Sequence, residues 1–160
     1  MSTRARPVAT RHTPPQSATA TYRLPGDSRS AGRAREALRC QLRVWGVDGE
    51  ITFSAELLVS ELVTNAVNAQ VQEPIDAEVG VRFVLSDGWL RLEVHDMSDE
   101  LPVIERVEED AECGRGLVLV DALASCWGVD RGDIGKTVWA ELVVGGGSWL
   151  RQPTSGRNRL

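Results

Sequence analysis

Two periodicities divide the chain. From residue 77 to 94, apolar residues alternate with polar ones: Ala77, Val79, Val81, Phe83 and Leu85, then Leu90, Leu92 and Val94. A period of two places each set on one face of a strand. Asp87-Gly88 lies between the two runs and is a two-residue turn signal, so the segment predicts a β-hairpin. Before it the period is helical. Ala31, Ala34, Leu38, Leu42 and Val44 predict a first helix, capped by Asp27 or Ser28 and stopped at Trp45-Gly46. A second helix is predicted from near Ile51 to about Val71, with Pro74 beyond it. Upstream, "ATYRLPGD" reads as a short strand ended by Pro25-Gly26. Downstream, "LVLVDALA" predicts a third helix, and "SCWGVDRGDIGKTVWAELVV" two strands about a turn at Gly132-Asp133. The acidic run from Met97 to Glu112 has no period. Early helices followed by antiparallel hairpins predict an α/β two-layer sandwich, with helices on one sheet face.

The second helix carries an unusual stripe. At about 100° per residue, Ser54, Leu57, Glu61, Asn65, Asn68 and Gln72 align, beside a broad apolar face that includes Leu58, Leu62 and Ala66. A solvated helix face normally mixes charge signs. Here no Lys or Arg occurs between Arg43 and Arg82, so Glu61 has no basic partner on its own helix. Oxygen ligands without basic neighbours suit a hard cation such as Mg²⁺, held by few protein groups and several waters. A plain solvated face is the competing reading, and the stripe alone leaves both open.

Composition narrows the class. The chain has 160 residues, 42% of them hydrophobic and 26% charged, enough for one domain with a real core. Net charge is −5. Residues 1–20 and 145–160 together carry six arginines and no acid, which leaves −11 on the segment 21–144. An acidic core argues against a nucleic-acid surface. The Pro-, Ser- and Thr-rich segment 1–20 is expected to be a disordered basic tail, 21–144 the folded domain, and 145–160 a Gly-rich basic tail. No apolar run is long enough for a membrane span, and residues 1–20 lack the apolar stretch of a secretory signal. Cys40, Cys113 and Cys126 are odd in number and widely spaced, as expected of reduced thiols in a cytoplasm.

Three further segments carry candidate chemistry. Asp96 in "VHDMSDELP" sits where a strand gives way to a loop, so its carboxylate could accept a hydrogen bond from an exocyclic amino group. A turn aspartate is the bland reading of the same residue. Gly114-Arg115-Gly116 precedes an apolar helix; glycines let a backbone approach an anion, and helix N–H groups favour it. Arg115 could add a charge-assisted contact. "GKTVWAEL" brings in Lys136, the sole lysine of 18 basic residues, and Thr137.

In this order the four segments resemble the GHKL (histidine-kinase-like) ATPase superfamily. They look most like its bacterial branch of anti-sigma factors that are also serine-protein kinases. "ELVTNAV" resembles the N box, "VHDMSDELP" the adenine box, and "GRGLVLVDALA" with "GKTVWAEL" the glycine box and closing strand. The resemblance spans roughly 21–144 and implies a Bergerat-type ATP-binding fold, with a mixed, mostly antiparallel sheet. It implies ATP and Mg²⁺ as cofactors. It assigns Glu61 as general base, Asn65 as the Mg²⁺ ligand and Asp96 as the adenine contact. Ser98, Gly114, Arg115, Gly116, Leu117, Lys136 and Thr137 are implied to line the nucleotide site, with Thr137 near the adenine. The segment 99–112 falls where the family carries its ATP lid. Ser98 and Glu100 stand where the wider superfamily has glycines, while Asp96, Ser98 and Pro102 fit the small bacterial branch. The implied partners are a sigma factor, an anti-sigma antagonist protein and a second copy of the chain. The implied activity is phosphorylation of a serine on that antagonist. A nucleotide-responsive sequestering module with little or no catalysis is the alternative.

Overall fold

The computed structural model describes residues 17–71, 73–74, 76–98 and 115–144, with the side chains of 115–117 outside that description. Eight elements follow one another: β1 (Ser17–Pro25), α1 (Ser30–Val44), α2 (Glu50–Ala69), β2 (Glu78–Ser86), β3 (Trp89–Asp96), α3 (Arg115–Leu123), β4 (Cys126–Arg131) and β5 (Lys136–Val143). The strands form one sheet in the order β1-β2-β3-β5-β4, and every pairing is antiparallel. Strand β1 begins at Ser17, four residues before the domain boundary expected at residue 21.

Local chemistry explains the element ends. Asp87 and Gly88 both have positive φ, 48° and 84°, as a tight hairpin turn requires, and Ser86 pairs with Trp89 across it. Helix α1 starts at Ser30, later than a cap at Asp27 or Ser28 predicts. Asp27 instead closes the preceding turn: its Oδ1 accepts from the Arg29 backbone N–H at 2.9 Å. The C-terminus of α1 is a Schellman motif. Gly46, at φ 69°, donates to the Arg43 carbonyl, and buried Val47 donates to the Leu42 carbonyl. Helix α2 ends at Ala69, two residues short of the expected Val71.

The predicted alternation decides the layers. Val79, Val81, Phe83 and Leu85 on β2 are buried, as are Leu90, Leu92 and Val94 on β3. Val138, Ala140 and Leu142 on β5 continue the same face. Helix α2 covers it with Ala55, Leu58, Val59, Leu62, Val63 and Ala66, and α1 adds Ala34, Leu38 and Leu42. Each fully buried Leu, Val or Phe contributes about 1.5–3 kcal/mol relative to exposure. The opposite sheet face is polar. There Arg91 bonds Glu93 at 2.7 Å and Glu141 at 2.9 Å, and its guanidinium lies 4.0 Å from the centre of the Trp139 ring. Burial pulls the Arg91 pKa down, but the hydrogen bonds it donates to Glu93 and Glu141 outweigh that and hold the pKa above its usual value. No helix among the described residues is long and apolar enough to cross a membrane.

Candidate functional site

Helix α2 packs on the core face of the sheet, beside β3. Leu58, Leu62 and Ala66 sink into the sheet, and the stripe one-third of a turn away stays partly open. Glu61 and Asn65 are accordingly half-buried, while Asn68 is exposed. Asn65 Nδ2 is buried and has no hydrogen-bond partner among the described residues. Gln72 lies outside the described residues.

The tertiary structure does supply α2 with arginines, but not at Glu61. Arg39 of α1 makes a two-pronged contact with Glu56, at 3.0 and 2.9 Å, and that hydrogen bond raises the Arg39 pKa. Arg35 donates to the Ser60 hydroxyl at 2.7 Å. Glu56 lies five residues before Glu61, about 140° around the helix, so its cation serves a different face. Among the described residues Glu61 makes no ion pair.

The second part of the site is at the end of β3. Asp96 is 1% exposed and Lys136 4% exposed, and they sit directly opposite one another in the β3–β5 register. Lys136 Nζ donates to Asp96 Oδ1 at 3.0 Å. The Ser98 backbone N–H donates to the same oxygen at 2.8 Å. Asp96 Oδ2 is buried and accepts nothing from the described residues. A buried carboxylate oxygen without a donor is costly, about 1–3 kcal/mol or more for a charged group, so it marks either strain or a missing ligand.

The register also separates two residues expected together. Thr137 follows Lys136 and therefore points to the other sheet face. There its hydroxyl meets His95 Nδ1 at 3.1 Å. Thr137 does not share a sheet face with Asp96. Gly135 is a site residue that reading along the chain missed. Its φ is 73°, and a Cβ there would collide with the Asp96 carbonyl oxygen. Only glycine lets β5 start close enough to set Lys136 against Asp96. The signal was present as "DIGKT", a glycine just before a strand, but it names no partner.

The segment expected to receive phosphates lies only partly within the described residues. Arg115 and Gly116 form the first turn of α3 instead of preceding it, and Leu117 follows in the same helix. Gly114 and the acidic segment from 99 to 112, including Glu100 and Pro102, lie outside the described residues. Among the described residues no group of three or more His, Cys, Asp or Glu could hold a metal unaided. Cys40 and Cys126 are free thiols, both exposed.

Comparisons with known proteins agree with this geometry. The family profile of the histidine kinase-like ATPase domain matches residues 24–142. Among solved structures, the RsbU and RsbW domains of Rv1364c from Mycobacterium tuberculosis superpose with a TM-score of 0.61 at 23% identity. The match covers 78% of this chain and 31% of that one, so the chain spans about a third of the length of that structure. At this identity the likeness is one of fold. No curated protein matches the sequence.

Proposed function

The chain belongs to the histidine kinase-like ATPase domain family, and from that premise we propose that it binds ATP with Mg²⁺ and phosphorylates a serine of a small anti-sigma antagonist protein. The observation that carries the nucleotide reading is Asp96 Oδ2: a buried carboxylate oxygen, held beside a lysine, with no donor among the described residues. An adenine amino group supplies the donor it lacks.

The residues of α2 fit the other end of the ligand. The buried Asn65 Nδ2 without a partner is the donor of an amide whose oxygen is the ligand for Mg²⁺ in this reading. One protein ligand suffices, because Mg²⁺ keeps waters and takes phosphate oxygens for its remaining positions. When bound, the ion neutralises charge on the phosphates. Glu61, half-buried and one turn before Asn65, takes the proton of the attacking serine hydroxyl. That oxygen bonds to the γ-phosphorus as the bond to the bridging oxygen breaks, and ADP leaves with the electron pair. Arg115, Gly116 and Leu117 open α3, and together with Gly114 they are the residues this reading assigns to the phosphates. A phosphoserine adds about −1.5 to −2 charges to the antagonist. This core already carries −11, so added negative charge on the partner drives the two apart.

Further parts of the same reading are a cytoplasmic protein that holds a sigma factor, and a second copy of the chain as partner. Calorimetry with Mg-ATP tests the site directly. Magnesium-dependent binding by the full chain, lost in Asn65→Ala, supports it. Transfer from radiolabelled ATP to the antagonist then separates a kinase from a sequestering module that binds nucleotide without turnover. Absence of binding to the unmodified chain refutes the proposal.

A further inference from the structure

Lys136 is the only lysine in the chain, and it is spent inside the sheet. Its ammonium group and the Ser98 N–H converge on one oxygen of Asp96, at 3.0 and 2.8 Å. The other oxygen is equally enclosed and receives neither. The side chain at position 96 is therefore gripped from one side only. Gly135 makes the grip possible by letting β5 approach the Asp96 backbone. With Nζ buried against a carboxylate, Lys136 is a counterion within the fold.

We propose that Lys136 is a positioning residue: together with the Ser98 N–H it pins one atom of side chain 96 and so decides which atom is presented to the base. This rests on the ATP reading above and extends it to base selection. In aspartate both oxygens accept, so the pinning is silent; the free oxygen takes the 6-amino group of adenine. Asparagine exposes it. Two donors on one side claim the amide oxygen, because an NH₂ cannot accept from them. The NH₂ is then the presented atom, and it fits a 6-oxo purine better than a 6-amino one.

The test is calorimetry on the full chain with Mg-ATP and with the magnesium complex of inosine triphosphate, whose base carries a 6-oxo group. The unmodified chain prefers ATP by roughly tenfold or more, the cost of an unpaired buried acceptor. Asp96→Asn, which conserves shape, inverts the preference toward inosine triphosphate. Adding Lys136→Met removes one of the two pinning donors and moves the ratio of the two affinities back toward unity. A lysine with a purely structural role would lower the melting temperature without moving that ratio. An Asp96→Asn variant that still prefers ATP, or a double variant with the same ratio as Asp96→Asn, overturns the inference and leaves the ATP reading standing. Failure of the unmodified chain to bind ATP overturns both. Should the double variant not fold, the sign of the preference in Asp96→Asn decides.

Discussion

Replacing Lys136 with methionine removes the ammonium group and keeps nearly the same length, so the perturbation is one of charge more than of volume. Its partner, Asp96, is 1% exposed and lies directly opposite it in the β3–β5 register. One hydrogen bond, from the Ser98 N–H, is left to the carboxylate. Breaking a buried pair from one side costs about 3–5 kcal/mol, because an uncompensated charge stays behind. In a domain of this size about 1 kcal/mol moves Tm by roughly 4 °C, so Tm should fall by roughly 12–20 °C. Urea unfolding of the full chain, followed by circular dichroism, gives the same quantity from the midpoint at constant slope. The double variant Asp96→Asn/Lys136→Met removes both charges and should be the more stable of the two, since neutral replacement of a buried pair is often nearly free. The reasoning is refuted if Lys136→Met lies within about 0.5 kcal/mol of the unmodified chain, or if the double variant is the less stable one.

Phe83 is fully buried and its ring sits 5.5 Å from that of Tyr22, so Phe83→Ala should cost about 3–5 kcal/mol in urea unfolding. Gly135→Ala meets both a positive φ and the Asp96 carbonyl, so it should cost about 1–3 kcal/mol of stability and weaken Mg-ATP binding measured by calorimetry. Glu61→Gln should leave Mg-ATP affinity within about threefold while phosphotransfer to the antagonist falls by roughly 10²–10⁴-fold; equal turnover would remove Glu61 from the role of base. Arg39→Ala breaks exposed contacts with Glu56 and Glu36 and should leave the urea midpoint nearly unchanged.

The candidate site was partly legible along the chain. Asp96 stands out as a carboxylate where a strand ends, and Glu61 and Asn65 stand out as a stripe without cations on their own helix. Their depth was not legible. A stripe looks the same whether solvent or another element lies beside it, and only the tertiary structure makes Asn65 Nδ2 a buried donor. The arginines were misleading in the same way. None lies within α2, yet Arg35 and Arg39 reach it from α1, because helix packing brings together residues 17 and 25 positions apart.

What the sequence by itself determined is local. Alternation at period two places Val79 to Val94 on one sheet face, Asp87-Gly88 makes the turn, and Trp45-Gly46 ends α1. These depend on backbone sterics and on which side chains leave water, and both act over a few residues. Tertiary structure alone decided which strands not joined by a turn are neighbours. The order β1-β2-β3-β5-β4 sets β5 against β3, and its register sets Lys136, not Thr137, opposite Asp96. A shift of one residue would have exchanged them, since neighbouring side chains on a strand face opposite ways. That register is held by Val138, Ala140 and Leu142 staying in the core and by a glycine where β5 crosses the Asp96 backbone. A lysine 40 residues from its aspartate thus becomes its buried counterion through the packing of residues that touch neither charge.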